Sequence, residues 1–230
     1  MDPKKLFLDK RHTNVCVYCG TRPETADHVP SRVLLDQPYP ENLPVVPSCE
    51  KCNNSFSIDE PYLACLIECI IHDTVSHEKI KREKIKRILR TKPKLAATLE
   101  ACRHAENFNN LWWTPDLSKI RNVILKLARG HAAYECGELQ LTEPERLLVS
   151  PLCTMSMEAT QQFNTPPIEN IWPEIGSRAF MRAVGVNSNV YLDDGWQVIQ
   201  PARYRYLDSY SGGMIVRIVL SECLACEVSW

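Results

Sequence analysis

Two closely spaced cysteine pairs near the start of the chain decide the fold of its first segment. One pair lies in Cys16-Val-Tyr-Cys19-Gly, the other lies in Cys49-Glu-Lys-Cys52-Asn, and residues 20–48 separate them. Each pair flanks a tight turn, so two thiolates of one loop reach one ion and two loops complete a tetrahedron. The pattern therefore predicts a zinc site formed by Cys16, Cys19, Cys49 and Cys52. Because four sulfur ligands leave no open position, we expect this zinc to be structural.

The other cysteines indicate the redox compartment. The chain has 11 cysteines, and its first 11 residues are charged and lack the apolar stretch of a signal peptide. We therefore expect a cytoplasmic protein whose cysteines are thiols or metal ligands. Cys223 and Cys226 lie in a strand-like apolar segment, and Cys65 and Cys69 lie on a helical pattern. For these four the sequence favours core thiols.

The segment around and between the cysteine pairs contains candidate catalytic residues. Asp27-His-Val-Pro-Ser-Arg32 lies between the pairs, Asn42 follows it, and Asn53 comes directly after Cys52. Hydrolysis of a phosphodiester needs an activated water and neutralised charge on the phosphate. Histidine, whose reference pKa is near neutrality, suits the general base, while carboxylate and amide oxygens suit a hard divalent ion. Taken singly, these residues are also ordinary ones for a surface turn or a helix N-cap.

In their order these motifs resemble those of the HNH endonuclease family, also called ββα-metal or His-Me finger nucleases. The resemblance covers residues 14–60 of the 230. It implies a small zinc-stapled ββα finger that hydrolyses phosphodiester bonds in DNA with Mg²⁺ or Mn²⁺. HNH proteins that stand alone and have about this size are similar to the nucleases of bacterial restriction, phage defence or mobile elements. The resemblance therefore implies a role of that type.

The resemblance also implies a role for each candidate residue. His28 is the general base, while Asp27 and Asn53 are ligands of a catalytic divalent ion that is distinct from the zinc. Asn42 holds the His28 ring or the finger loop in its productive orientation, and Arg32 binds the scissile phosphate or a neighbouring one. If Asp27 and His28 lie on a strand, their side chains point to opposite faces, one to the ion and one to the water.

The sequence departs from the family pattern at one position. Many members carry a lysine four residues after the last cysteine, where this chain has Phe56. The phosphate contact expected there is then left to Arg32 or to a basic helix further along the chain. Asp59 and Glu60 lie close enough in sequence to be extra ligands, but exposed acidic residues on a helix are the simpler interpretation.

The charge of the chain is concentrated in one segment. The net charge is −1, yet residues 78–94 contain nine lysines and arginines against two glutamates, which gives +7 there and −8 for the remainder. The segment has isoleucines and leucines at helical spacing. Two interpretations stay open: a helix that tracks nucleic-acid phosphates for the active site, or a solvated helix face.

The pattern along the chain predicts an α+β fold with three regions. Residues 1–75 form the nuclease finger, residues 76–136 a helical region with the basic helix, and residues 137–230 a β-rich region of unknown role. In the finger we expect strands at Val15–Tyr18 and Leu43–Val46 and a helix from near Cys52 that stops by Pro61. Further helices are expected at Tyr62–Ser76, Glu78–Arg90, Lys94–His104 and Asp116–Glu135. An antiparallel meander is expected from Val190–Tyr191, Trp196–Gln200, Tyr204–Leu207 and Met214–Val228.

Other functions and partners fit the same sequence. No apolar run is long enough for a membrane span. A non-catalytic zinc module that binds nucleic acid and a toxin-type RNase are the alternatives to a DNA nuclease. A homo-oligomer, or a partner or ligand that binds the β-rich region and activates the nuclease, is a further alternative. Trp112-Trp113 is expected in a packed loop, with base stacking as the less favoured alternative.

Overall fold

The structure is a computed structural model that describes residues 12–107, 110–167, 172–183 and 195–230. The fold is α+β, as predicted. The chain divides into two compact units: Met1–Ser55 with Ile124–Trp230, and Phe56–Val123. Among the described residues, no helix combines the length and the apolar character needed to cross a bilayer.

The N-terminal finger, defined here as residues 12–56, is a β-hairpin followed by a helix. Strand β1 (Thr25–His28) pairs antiparallel with β2 (Val45–Ser48), and helix α1 (Glu50–Phe56) follows. The prediction of a strand at Val15–Tyr18 was wrong, because these residues form the turns of the first cysteine loop. The second predicted strand begins two residues late, because Leu43 closes a turn onto the carbonyl of Pro40.

The second unit is mostly helical, as the sequence predicts. Its helices α2 (Asp59–His72), α3 (Glu83–Thr91) and α4 (Pro93–Ala101) match the predicted helices within a few residues. Helix α2 starts before Pro61. A proline is tolerated there, because an N–H in the first helical turn has no intrahelical partner to lose. The predicted loop at Trp112-Trp113 is instead part of a hairpin of β3 (Arg103–Asn107) and β4 (Asn110–Trp113).

Helix α5 (Leu117–His131) continues into a wider π-helical turn at Ala132–Cys136. It ends at Gly137, whose φ of 71° suits a residue without a side chain. From Ile124 onward this helix belongs to the first unit. The prediction of a helix at Asp116–Glu135 is confirmed.

The C-terminal part of the first unit is a five-stranded antiparallel sheet. Its strands are β5 (Arg146–Pro151), β6 (Gln197–Gln200), β7 (Tyr204–Tyr210), β8 (Met214–Leu220) and β9 (Leu224–Ser229). The order is β5-β9-β8-β7-β6, so the predicted meander is confirmed and β5 adds an edge strand. Helices α6 (Met157–Asn164) and α7 (Arg178–Ala183) come between β5 and β6. The strand predicted at Val190–Tyr191 lies outside the described residues.

Inside the first unit, the loop residue Asp36 connects the finger to the sheet. The backbone N–H of Asp36 donates to the Gln200 side chain at 2.8 Å, and that side chain donates back to the Asp36 carbonyl at 3.1 Å. The Asp36 carboxylate accepts a hydrogen bond from Arg203 at 2.6 Å. These contacts anchor the loop between β1 and β2 onto the turn that joins β6 and β7.

Candidate metal centre and active site

The four predicted cysteines converge on one point. The Sγ atoms of Cys16, Cys19, Cys49 and Cys52 all lie within 4.8 Å of one another. A tetrahedral zinc with Zn–S bonds of 2.3 Å places its sulfurs about 3.8 Å apart, and the Cys19 and Cys49 Sγ atoms are 3.7 Å apart. None of the four forms a disulfide. The group therefore fits a structural metal site such as one for zinc.

The backbone of the first cysteine loop explains how this cluster forms. The Cys16 N–H donates to the Thr21 carbonyl at 2.7 Å, and the Gly20 N–H donates back to the Cys16 carbonyl at 2.9 Å. Gly20 has a φ of 77°, where a side chain would be strained. This tight turn directs both thiols to the same side. The loop is tied to β2 by a bond from the Val17 N–H to the Pro47 carbonyl.

The thiols have unequal electrostatic environments. Burial raises the pKa of the Cys16 and Cys52 thiols. Burial alone would also raise the pKa of Cys19, but hydrogen bonds from Thr21 and the neighbouring thiols lower it to about 6. A thiolate is the form that binds a metal ion.

The candidate base, His28, is the last residue of β1. It pairs with Val45 of β2, and its side chain is half-buried. Because side chains alternate along a strand, His28 and Asp27 point to opposite faces, as expected if both lie on a strand. The finger thus places a histidine at the end of a hairpin that the cysteine centre holds in position.

Asp27 lies in a polar network. Its side chain is 9% exposed, and it forms an ion pair with Lys126 of α5, whose side chain is fully buried, with 2.8 Å between Lys126 Nζ and Oδ2. Lys126 Nζ also donates to Asp27 Oδ1 at 3.0 Å and to Ser31 Oγ at 2.8 Å. The Tyr18 hydroxyl donates to Oδ2 at 2.8 Å. Both carboxylate oxygens are therefore engaged by protein groups.

This arrangement does not fit Asp27 as a ligand of a divalent ion. An ion at the carboxylate would displace a buried ammonium or lie beside it, and a buried charge that loses its partner is strongly destabilising. Among the described residues, the four cysteines are also the one group of three or more histidine, cysteine and acidic ligands that comes close enough to hold a metal.

The remaining predicted residues are placed as follows. The Asn53 amide, on α1, donates to the Thr25 hydroxyl at 3.2 Å, which joins α1 to β1. Arg32 is exposed in a single 3-10 turn, with its guanidinium carbon 5.5 Å from the centre of the Tyr39 ring. Asn42 is exposed in the loop before β2. The structure thus brings Asp27, His28 and Asn53 onto one hairpin-helix unit and leaves Asn42 and Arg32 on its loop.

Sequence reasoning missed Lys126. The signal for it was a single charge inside the apolar run Val-Ile-Leu-Lys-Leu-Ala at residues 123–128. A lysine in such a run needs a buried anion as partner. Nothing in the sequence indicated that the partner would be the candidate metal ligand about a hundred residues earlier.

No family model, curated protein or solved structure matches this chain. The likeness to HNH nucleases therefore rests on the residues themselves and on their order in the hairpin-helix unit.

The basic segment of the second unit is only partly helical. In α3, Ile85 and Leu89 are buried. Arg82, just before α3, is buried against Glu68, with 3.5 Å between the charged atoms, so it is not available to a phosphate. The exposed cations of the segment are Lys79, Lys81, Arg87, Arg90, Lys92 and Lys94.

Proposed function

We propose that this protein is a cytoplasmic HNH-type endonuclease that hydrolyses phosphodiester bonds in DNA. The observation that carries the proposal is the position of His28 at the end of β1, in a β-hairpin and helix joined at their base by four clustered cysteines. This is the order of elements and residues that the resemblance implies. A biological role in restriction or phage defence is part of the same proposal.

The chemistry of the site is limited to what its residues can do. The His28 imidazole accepts a proton from the attacking water, whose oxygen bonds to phosphorus as the bond to the sugar oxygen breaks. The leaving sugar oxygen takes up a proton from solvent, and the imidazolium returns its proton to solvent. Arg32 neutralises charge on the phosphate with a planar guanidinium. The Asn53 amide keeps α1 joined to the strand that carries His28 through its bond to Thr25. The predicted Mg²⁺ or Mn²⁺ stays a prediction, and none of these steps depends on it.

The exposed cations at residues 79–94 support a polyanionic substrate. Six lysines and arginines there are exposed. Each phosphate that such a cation neutralises releases a counterion and strengthens binding at low salt. Because this interaction is independent of sequence, it supports nucleic acid as the substrate class without selecting a target site.

A digest tests the proposal. Zinc-loaded protein is incubated with plasmid, single-stranded DNA and RNA, without added divalent ion and with Mg²⁺ or Mn²⁺. We expect DNA cleavage by the parent in at least one condition, and a loss of about 10²–10⁴-fold in His28→Ala, as removal of a general base gives. His77→Ala, which changes a half-buried histidine of the other unit, is the matched control and should cut like the parent.

Two outcomes would replace this proposal. Cleavage of RNA alone would make the protein an RNase. A non-catalytic zinc module is favoured by the engagement of Asp27 with Lys126. DNA binding that survives His28→Ala, with no cleavage by the parent in any condition, would establish that module.

A further inference from the structure

The environment of Lys126 resembles that of a bound cation. Three oxygen atoms, Oδ1 and Oδ2 of Asp27 and Oγ of Ser31, lie 2.8–3.0 Å from its Nζ atom. The ammonium carries three donors and no acceptor, and these three contacts can use all of them. The Lys126 side chain is fully buried, so water cannot replace these partners.

The helix that carries Lys126 is packed tightly against β1 and the residue that follows it. Gly130 lies one turn after Lys126, and a Cβ atom built on it would be 2.6 Å from Cγ2 of Val29. Contacts of that length do not occur in proteins without displacement of a neighbour. Helix α5 thus contacts the residues on both sides of His28, Asp27 through Lys126 and Val29 through Gly130. Helix α5 is therefore held close to β1 at the point where Lys126 meets Asp27.

We propose that Lys126 takes the place beside Asp27 that the HNH resemblance gives to the divalent ion. Asp27 is then the anchor of a built-in positive charge and not a metal ligand. The catalytic meaning of this inference rests on the proposed nuclease function, because only a nuclease needs a cation there. The exclusion of a divalent ion from Asp27 by Lys126 does not depend on that function.

Charge determines which cation the carboxylate holds. A divalent ion at Asp27 would lie within a few ångströms of the Lys126 ammonium, and like charges at that distance oppose binding. If the lysine is replaced by methionine, the shape is nearly kept and the positive charge is removed. The same oxygens of Asp27 and Ser31, with the Tyr18 hydroxyl nearby, then become hard ligands for a metal ion.

Luminescence of Tb³⁺ tests the inference without any cleavage assay. Tb³⁺ is a hard cation that emits when excited through a nearby tyrosine, and Tyr18 lies in hydrogen-bond contact with Asp27. The parent, Tyr18→Phe, Lys126→Met and the double variant Asp27→Asn with Lys126→Met are titrated, all zinc-loaded. Emission lost in Tyr18→Phe reports an ion at Asp27.

We expect the parent and Tyr18→Phe to give the same emission. Lys126→Met should bind Tb³⁺ at Asp27 at least about tenfold more tightly than the parent, and the double variant should return to the parent level. Saturable emission by the parent that Tyr18→Phe abolishes would overturn the inference. So would a folded Lys126→Met that gains no site. If Lys126→Met does not fold, the comparison of the parent with Tyr18→Phe decides alone.

Failure of this inference and failure of the proposed function give different results. A parent that cuts DNA and binds Tb³⁺ at Asp27 is a nuclease with a metal ligand at Asp27. If the parent shows neither cleavage nor a Tyr18-dependent signal, Lys126 still occupies the cation position beside Asp27, and the proposed nuclease function is wrong.

Discussion

The finger, as far as Ser55, and the five-stranded sheet belong to the same unit but are stabilised by different interactions. The finger has short strands of four residues each, and its cysteines gather at one point. The sheet buries a cluster of large apolar side chains, comprising Phe163, Trp196, Leu207, Val219 and Ala225. Small folds with strands this short are commonly stabilised by a metal or a disulfide, whereas a larger sheet with a packed face does not need one. The two regions should therefore respond differently to the same treatment.

Loss of the metal should have the largest effect, and it should be confined to the finger. Binding of zinc to a structural site contributes about 10–16 kcal/mol in finger peptides. Cys49→Ser should release the zinc and open β1 and β2. Amide hydrogen exchange should therefore become much faster at Val45–Ser48 and stay nearly unchanged at Met214–Leu220. The zinc content is measured in the same samples.

Cys153→Ser is the control for this experiment, because Cys153 is an exposed thiol of the same unit. It should keep the zinc and the exchange pattern of the parent. If the β2 amides stayed protected in Cys49→Ser, the finger would be held by its packing and the contrast with the sheet would be lost.

The reverse experiment disrupts the sheet and spares the metal. Trp196 is fully buried and donates its Nε1–H to the Asn164 carbonyl at 2.9 Å. The guanidinium carbon of Arg205 lies 4.3 Å from the centre of the Trp196 ring. Trp196→Ala should lower the free energy of unfolding in urea by about 3–5 kcal/mol. Zinc content should stay at the parent value, and its loss would show that the two regions are not separable. Trp172→Ala, at a 70% exposed position, should change stability by less than about 0.5 kcal/mol.

The same contrast explains what the sequence could predict. The cysteine pairs act through local turns, so their spacing was enough to predict the four-sulfur site. The meander was predictable because its strands follow one another along the chain. Strand β1 was not predicted, because Thr-Ala-Asp-His at Thr25–His28 has no apolar alternation. It becomes a strand by pairing with β2, which is a tertiary effect.

The surroundings of the candidate site were less predictable than its residues. The motif identified Asp27 and His28, but the partner of Asp27 comes from α5, about a hundred residues later. The β5 edge strand was missed for a similar reason, since it pairs with the last strand, β9. Contacts distant in sequence leave no periodic signal in either segment. The ion pair of Asp27 and Lys126 could therefore not be predicted from the sequence.

The end of α5 contacts both regions, which allows a pH test on the side of the sheet. His131 is fully buried, and its Nε2 lies 2.7 Å from the Tyr204 hydroxyl. It stacks on Tyr206, with 3.7 Å between the ring centroids. Burial lowers its pKa to about 3. The folded protein then keeps this histidine neutral while the unfolded chain takes up a proton below pH 6.5, so stability is lost as the pH falls from 6.5 toward 3.

The expected loss from His131 is about 2 kcal/mol between pH 7 and pH 5, from about 1.4 kcal/mol per pKa unit. It is measured as the free energy of unfolding in urea at both pH values for the parent and for His131→Gln. The variant should lose about 2 kcal/mol less than the parent. The pKa of Glu135, which accepts a hydrogen bond from Tyr206, is raised by its burial. That shift acts in the opposite direction but is common to both proteins. Equal losses would mean that His131 is not kept neutral by its burial.

Gly130 allows the matching test on the side of the finger, with the smallest expected effect. In an open helix, Gly→Ala stabilises by up to about 1 kcal/mol. Here the new Cβ would meet Cγ2 and Cγ1 of Val29 at 2.6 and 2.9 Å, and overpacking of this kind costs about 1–3 kcal/mol. Val29 cannot rotate away easily, because a β-branched side chain has few χ1 rotamers. We therefore expect Gly130→Ala to lower the free energy of unfolding by about 1 kcal/mol.

The same substitution made in a Val29→Ala protein is the control. There Gly130→Ala should raise the free energy of unfolding relative to Val29→Ala alone, because the two methyl groups are gone and the helix-propensity gain remains. If Gly130→Ala were stabilising with Val29 present, α5 would have room to move away from β1, and Asp27 and Lys126 would be less firmly held together than the packing indicates.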